Sequence, residues 1–116
     1  MQTIWLFCQV VKSNERERLK RRAAILKALA HPSRLMMVEE LAKGERCVCE
    51  LQELVGADMS TVSKHLSVLK NAGLVESEKR GLQVFYALLS PCVMNFFSCV
   101  ESVMEARREQ PSGSVK

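Results

Sequence analysis

The chain has 116 residues, 47% hydrophobic and 26% charged, and this composition predicts one folded domain with a modest core. A net charge of +4 permits nucleic-acid binding without requiring it, and no run approaches the ~18 apolar residues of a membrane span. Five cysteines, an odd number in such a chain, argue against a secreted disulfide framework and for reduced thiols in the cytoplasm.

The N-terminal region is predicted to be an arm, residues 1–14, followed by a long helix. The arm lacks the basic start and the small-residue cleavage site of a signal peptide. Asn14 with Glu17 three residues on is a capping pattern, so the helix is expected to begin near Asn14. Residues 12–27 carry seven basic and two acidic side chains, a net +5 that is usually a solvated face and adds non-specific attraction for DNA. One face of this helix is expected to carry Leu19, Ala23, Leu26 and Ala30.

Three shorter helices are expected next. His31-Pro32 ends the first helix, and Pro32 opens a second that stops at Lys43-Gly44. A third runs from about Cys47 to Val55 and ends at Gly56. The inward residues of the second helix are expected to be Leu35, Val38, Leu41 and Ala42.

The fourth helix has the pattern of a helix that reads DNA, and we call it the reading helix. It is predicted to be capped by Asp58 and to end at Asn71-Ala72-Gly73, with Val62, Leu66 and Leu69 on its buried face. Its other face presents small hydroxyls and a lysine, which suit base edges and phosphates in a major groove. His65 borders the apolar face, so a structural or phosphate-bonding role is favoured over metal ligation. The residues expected to contact DNA are Ser60, Thr61, Ser63, Lys64 and His65, with Lys70, Lys79 and Arg80 on phosphates.

From Leu74 the apolar period changes to two, which predicts a β-hairpin. Its strands are expected at residues 74–79 and 82–89, joined at Arg80-Gly81. A two-stranded ribbon that follows a helix-turn-helix is a wing. Ser90-Pro91 then opens a last helix to about Arg108, too apolar to be buried by one chain and therefore expected to dimerise. The domain is thus placed at residues 15–108, and residues 109–116 are expected to be a disordered tail.

The order of elements, mainly α with a β-hairpin wing, resembles the ArsR family of winged-helix metalloregulatory repressors. The resemblance covers roughly Ala24 to Leu89, and five motifs in the same order carry it. It implies a homodimer, joined through its terminal helices, that binds operator DNA and leaves it when a metal or metalloid binds. The motifs are Leu29-Ala30-His31-Pro32-Ser33-Arg34-Leu35, Cys47-Val48-Cys49-Glu50-Leu51, Ser60-Thr61-Val62-Ser63-Lys64-His65-Leu66, Ala72-Gly73-Leu74-Val75 and residues 81–86.

In the family's arsenic and antimony sensors, the motif Cys-Val-Cys-Asp-Leu-Cys opens the first helix of the helix-turn-helix. This chain has the first two thiols, Cys47 and Cys49, and Gln52 stands where the third would be. Other members bind zinc through histidines and carboxylates on the last helix, which contains no histidine here. The resemblance therefore implies a role in arsenic resistance, with Cys47 and Cys49 as metal ligands.

The chemistry of the thiols agrees with that expectation. Thiolates select soft ions, and trivalent arsenic or antimony takes three of them. Two residues two apart on a helix point ~200° apart, so both cannot face one core, and binding one ion would have to open the first turn. We expect that opening to weaken DNA binding. The third ligand is left open among Cys8, Cys92, Cys99 and an exogenous thiol, although the spacing of Cys92 and Cys99 favours core filling.

The sequence thus predicts a cytoplasmic repressor that needs no cofactor for DNA binding and is released by As(III) or Sb(III). The alternative is a thiol-redox or persulfide sensor of the same fold, in which Cys47 or Cys49 links to Cys92 or Cys99. An enzyme is not expected, since no Cys-x-x-Cys, nucleotide or zinc-protease motif is present. The operator, the regulated genes and the choice among As(III), Sb(III), Cd(II) and reactive sulfur do not follow from the sequence.

Overall fold

The computed structural model describes the backbone of residues 2–109 and the side chains of residues 13–108. Within that range the chain forms five helices and one antiparallel sheet with the strand order β1–β3–β2. The predicted fold class, mainly α with a β-hairpin wing, is confirmed. The elements are α1 (Gln2–Leu29), α2 (Pro32–Ala42), β1 (Arg46–Cys47), α3 (Val48–Val55), α4 (Met59–Asn71), β2 (Val75–Arg80), β3 (Gln83–Leu88) and α5 (Val93–Glu109).

The core lies between α2, α3 and α4 and extends under the start of the wing. The reading helix, α4, contributes the three residues predicted from its 3.6-residue period, Val62, Leu66 and Leu69, all with no exposed surface. Because this face of α4 is buried, its opposite face, with Ser60, Ser63 and Lys64, is exposed to solvent, as predicted. The other fully or almost fully buried apolar side chains are Ala28, Leu29, Met37, Val38, Leu41, Leu51, Leu74 and Val75.

The signals that bound the helix-turn-helix are confirmed. Gly56 ends α3 with φ +76°, a left-handed conformation that glycine adopts without strain, and its N–H donates to the Gln52 carbonyl at 2.8 Å. Asp58 occupies the N-cap position of α4 as predicted, but its carboxylate accepts from the Ser60 and Thr61 hydroxyls and makes no side-chain capping bond. The hairpin turns at Gly81, with φ +64°, and its strands begin and end within about a residue of the predicted limits.

The start of the first helix was predicted wrongly. The backbone is helical from Gln2, so Asn14 lies inside α1 and does not cap it. The physical reason is that no glycine or proline interrupts residues 2–30, and a capping pattern without a breaker before it does not end the preceding turns. The division into an arm, residues 1–14, and a domain, residues 15–108, stays a prediction. The tail prediction concerns residues that lie, apart from Glu109, outside the described range.

The inward face of α2 was predicted only in part. Val38 and Leu41 are buried as predicted, but Leu35 is 36% exposed and Ala42 is exposed, whereas Met37 is fully buried. On α1 the predicted shared face is largely open in the single chain, with Leu19 50% and Leu26 43% exposed, and among its described side chains only Ala28 and Leu29 are buried. A helical period shows which residues share a face, but it does not show where the neighbouring elements lie.

The short strand β1 was not predicted. Arg46 pairs with Tyr86 and Cys47 with Phe85, which attaches the segment before α3 to β3, the middle strand of the sheet. Two residues are too few to show a period of two. No helix in the described part of the chain is long and apolar enough to cross a bilayer.

Candidate nucleic-acid interface and thiol site

The first turn of the reading helix is organised by Asp58. Its carboxylate accepts hydrogen bonds from the hydroxyls of Ser60 and Thr61, the latter at 2.6 Å. These bonds, that of Ser60 foremost, lower the pKa of Asp58 to about 2. Both hydroxyl protons are therefore used within the turn, and Ser60 and Thr61 retain only acceptor lone pairs for a base edge.

The next residues on the exposed face are better placed to donate. Ser63 and Lys64 are exposed, so a hydroxyl and an ammonium project from the face opposite the core. Lys70, further along α4, donates to the Ser77 hydroxyl of the wing at 2.7 Å, and Lys79 is exposed near the wing tip. One helix face and one hairpin edge thus carry the cationic and hydroxyl groups that a DNA backbone would meet.

His65 is half-buried and not part of that open face. Its Nδ1 atom lies 3.1 Å from Nη1 of Arg34 on α2, and its ring lies 4.3 Å from that of His31, centroid to centroid. Direct DNA contact by His65 was predicted together with a structural role, and these contacts are those of a structural residue. Whether it also touches a phosphate stays a prediction.

Arg80 is held within the chain. Its guanidinium makes two 2.6 Å bonds to the Glu45 carboxylate and one of 2.6 Å to Glu78. Its Cζ atom also lies 4.7 Å from the centre of the Phe85 ring. The two carboxylates raise the pKa of Arg80, and the bond from Arg80 lowers the pKa of Glu45. These bonds use three of the five guanidinium N–H groups, so a phosphate contact by Arg80 would compete with two carboxylates that already neutralise its charge.

The two thiols meet at the start of α3. Cys47 is its N-cap residue, with extended backbone (φ −79°, ψ 158°), and its N–H donates to the Glu50 side chain at 2.9 Å. Cys49 lies in the first turn, the two Cα atoms are 5.4 Å apart, and the two sulfurs are joined in a disulfide. Cys47 is buried at 5% exposure, and Cys49 is exposed.

This geometry corrects the mechanism inferred from the sequence. The ~200° separation holds only when both residues are helical, and Cys47 precedes the helix. The sulfurs therefore meet while α3 keeps its regular form, and the expectation that they require an opened first turn was wrong.

Other predicted features of the site differ as well. Cys92 and Cys99 are exposed free thiols, so core filling was wrong for them within this chain. The disulfide also joins Cys47 to Cys49 and not to either of them. The Gln52 amide donates to the Ala57 carbonyl at 3.4 Å. In the described part of the chain, no three His, Cys, Asp or Glu side chains are grouped as metal ligands, and the side chain of Cys8 lies outside that part.

The thiol site is connected to the wing by two neighbouring contacts. Cys47 pairs with Phe85 through the backbone, and the Phe85 ring lies beneath Arg80. Arg80 in turn holds Glu45, two residues before Cys47. These contacts form a closed ring from the thiol pair to the wing tip and back.

Three residues of this region were not identified as functional from the sequence. Arg34 and His31 lie in the first motif of the family resemblance, so their positions were noted without a role. Glu45 shows no local signal, because its partner is 35 residues away. The Glu45 carboxylate meets the Arg80 guanidinium only because the hairpin folds back over it.

Several known regulatory proteins are similar to this chain. A model of the arsR family of bacterial regulatory proteins matches residues 31–77. The biofilm growth-associated repressor of Xylella fastidiosa is 35% identical over 88 residues, 76% of this chain and 77% of that protein. A homodimeric winged helix-turn-helix DNA-binding domain from Mycobacterium bovis has a TM-score of 0.70 and 32% identity, covering 84% of this chain and 91% of that one.

A second solved structure, the transcriptional repressor BigR from Xylella fastidiosa, has a TM-score of 0.66 and 33% identity, covering 79% of this chain and 94% of that one. The prediction of a DNA-binding regulator rather than an enzyme is confirmed by these relatives. The α3–α4 pair and the β2–β3 wing are the parts of this chain that correspond to that activity. On this fold and these identities, the chain belongs to the ArsR family of bacterial regulatory proteins.

Proposed function

We propose that this chain is a homodimeric transcriptional repressor that leaves its operator when Cys47 and Cys49 capture trivalent arsenic or antimony. The observation that carries the proposal is that both sulfurs meet at the start of α3, the first helix of the helix-turn-helix. As a regulator of bacterial operators it is assigned to the cytoplasm. Arsenic-resistance genes are the expected targets.

The donor set fits a soft, thiophilic centre. Two sulfurs close enough to bond each other are close enough to grip one larger atom between them, and thiolates prefer such ions. Capture needs both thiols reduced and deprotonated. A third thiolate comes from Cys8, Cys92 or Cys99, of either subunit, or from an exogenous thiol, since Gln52 supplies an amide.

The wing is the proposed route from the thiols to DNA. Cys47 belongs to β1, whose partner strand β3 forms one side of the wing. A change in the conformation of Cys47 therefore acts on the position of Phe85 and, through it, on Arg80. A coupling of about 1–3 kcal/mol between inducer and operator suffices for a useful switch.

Dimerisation is supported by the apolar surface that the single chain leaves open. On α5, Phe96 is 44%, Val103 67% and Met104 56% exposed, and the half-exposed Leu26 of α1 lines the same groove as Phe96 and Met104. The Mycobacterium bovis relative is described as homodimeric. A symmetric dimer would place two reading helices on half-sites about one helical turn apart.

The test is a mobility-shift assay on the chain's own promoter region, with arsenite, antimonite, cadmium, zinc and polysulfide added separately under defined redox conditions. We expect arsenite and antimonite to release the DNA from the reduced protein. No release by either, with operator binding intact, would contradict the metalloid proposal. No binding to any promoter fragment would contradict the repressor proposal itself.

A second candidate, a thiol-redox repressor of the same fold, is favoured by the Cys47–Cys49 disulfide. In this case a polysulfide or another two-electron oxidant takes two electrons from the pair, and both thiol protons leave as the S–S bond forms. Release by polysulfide, reversed by a dithiol and absent with arsenite, would select this candidate. In this candidate Cys47 pairs with Cys49, whereas the alternative predicted from the sequence linked one of them to Cys92 or Cys99.

Substitution of Glu45 tests the part of Arg80 in DNA binding. Glu45→Gln removes one of the two charges that hold Arg80, so a phosphate competes more easily for the guanidinium. We expect operator binding to tighten about twofold to fivefold, the scale of an exposed ion pair. The slope of log affinity against log salt should steepen by about one, for one more phosphate neutralised.

Glu53→Gln is the matched control, since it removes the same charge from an exposed position of α3. Fluorescence anisotropy over a salt series measures both quantities. Identical affinities and slopes for the two variants would mean that Arg80 does not reach a phosphate.

A further inference from the structure

The polar cluster where α1 ends, α2 begins and α4 passes is not used by the thiol site or by the open DNA-facing surface. Arg34 lies at its centre. Its Nε atom donates to the Ala28 carbonyl at 2.6 Å and Nη2 to the Lys27 carbonyl at 3.5 Å, which satisfies carbonyls at the C-terminal end of α1. Its Nη1 atom lies 3.1 Å from Nδ1 of His65 on the reading helix. One guanidinium thus connects α1, α2 and α4.

The donor and acceptor roles in this cluster follow from the chemistry of the groups. A guanidinium only donates, so Nδ1 of His65 accepts and the ring is neutral, with its proton on Nε2. His31, the N-cap of α2, uses its own Nδ1 as acceptor for the Ser33 N–H at 3.1 Å. Both imidazoles, whose ring centres are 4.3 Å apart, therefore depend on an unprotonated Nδ1.

Protonation of His65 would break the hydrogen bond that its ring accepts from Arg34. A proton on His65 occupies the Nδ1 lone pair, which ends the bond from Arg34 and places two cations side by side. The titratable and charged groups that act on His65 are His31 and Arg34, both from the α2 side, while α1 contributes the backbone carbonyls that accept from the same guanidinium.

We propose that Arg34 is a positioning residue for the reading helix and that protonation of His65 opens this contact, so that acidification loosens operator binding. The proposal rests on DNA binding by this family member and not on the nature of the inducer. Arg34 does not touch DNA in this role; it acts through His65, which lies next to Lys64 and Leu66 on α4. The contact fixes the rotation of the outward face relative to the core.

The direction of the pH effect follows from the pKa of His65. Burial, and then the nearby His31 and Arg34, lower it below the ordinary value of 6.5. The unfolded chain, and any form in which His65 has left Arg34, therefore takes up a proton before the docked form does. The contact stabilises the docked conformation fully above about pH 6.5. This stabilisation is lost as the pH falls from there through the lowered pKa of His65 in the docked state.

The test is operator binding of the full chain between about pH 8 and about pH 5, the range in which histidine changes its charge. Wild-type affinity is expected to fall several-fold across that range, because protonation of His65 ends the contact with Arg34 that positions α4. In His65→Asn, an amide oxygen can accept from Arg34 but does not titrate, so its pH profile should be nearly flat. A His65→Asn profile as steep as that of the wild type would overturn the proposal.

Arg34→Gln separates positioning from general stability. It should weaken operator binding at neutral pH and also flatten the pH profile, with the helical circular dichroism unchanged. If Arg34→Gln does not fold, the His65→Asn profile still decides the matter. A folded Arg34→Gln that binds and titrates like the wild type would also overturn the proposal.

Discussion

Replacement of Cys47 or Cys49 by serine is expected to leave operator binding intact and to abolish release by arsenite. Serine keeps the size of the side chain but offers a hard oxygen in place of a soft thiolate, so a thiophilic centre loses one of two adjacent ligands. Since two ligands on one short segment act together, removal of either should reduce the response by orders of magnitude and not by half. A mobility-shift titration with arsenite on the reduced proteins measures it.

The fold should tolerate both changes. Cys47 is the N-cap of α3, a position where serine is among the preferred residues, which offsets the burial of a hydroxyl there. Cys49 is exposed, so its replacement removes little packing. Equal urea-unfolding midpoints for the variants and the wild type would verify that lost release is not lost structure.

The same substitution at the other cysteines locates the third thiolate. Cys8→Ser, Cys92→Ser or Cys99→Ser should weaken the arsenite response if that residue is the third ligand, and all three should respond normally if the third thiol is exogenous. Gln52→Cys, which completes the Cys-x-Cys-x-x-Cys spacing, should respond at lower arsenite concentration. Normal release from both Cys47→Ser and Cys49→Ser would show that the inducer binds elsewhere.

The reading helix illustrates which features of the fold can be predicted from the sequence. Val62, Leu66 and Leu69 are spaced for one helix face, and Asp58 and Gly56 mark boundaries by backbone chemistry that acts locally. Such signals involve residues a few positions apart, so they can be recognised without tertiary structure. The predicted start of α1 was wrong because Asn14 has the local pattern of a cap, whereas no helix-breaking residue precedes it and the helix continues back to Gln2.

The position of the two thiols in the fold was predicted correctly, but their orientation was not. The motif located the thiols at the start of α3, yet a difference of one residue in the helix boundary decides whether Cys47 points away from Cys49 or toward it. Contacts such as Glu45–Arg80 and Arg34–His65 join residues more than 30 positions apart. They depend on how the hairpin and the helices pack, and no local pattern encodes that.

Disruption of the apolar face of α5 is expected to have the largest effect on DNA binding. Val103→Asp places a carboxylate at a valine that is 67% exposed in the single chain and, in the proposed dimer, is covered by the second subunit. Burial of such a side chain contributes about 1.5–3 kcal/mol, and an unpaired buried charge is strongly unfavourable. Because a monomer engages one half-site, operator affinity should fall by about 10²–10⁴-fold.

Ser102→Asp is the matched control, since it adds the same charge to an exposed position of α5 that lies about 100° around the helix from Val103 and farther still from Val100 and Met104. Sedimentation equilibrium should give a monomer for Val103→Asp and a dimer for Ser102→Asp, with equal helical content by circular dichroism. A surface charge that touches no partner changes stability by only about 0.5 kcal/mol, so the control should bind the operator like the wild type. If Val103→Asp stays dimeric and binds with unchanged affinity, the second subunit does not cover this face, and the reading helices must be paired through another surface.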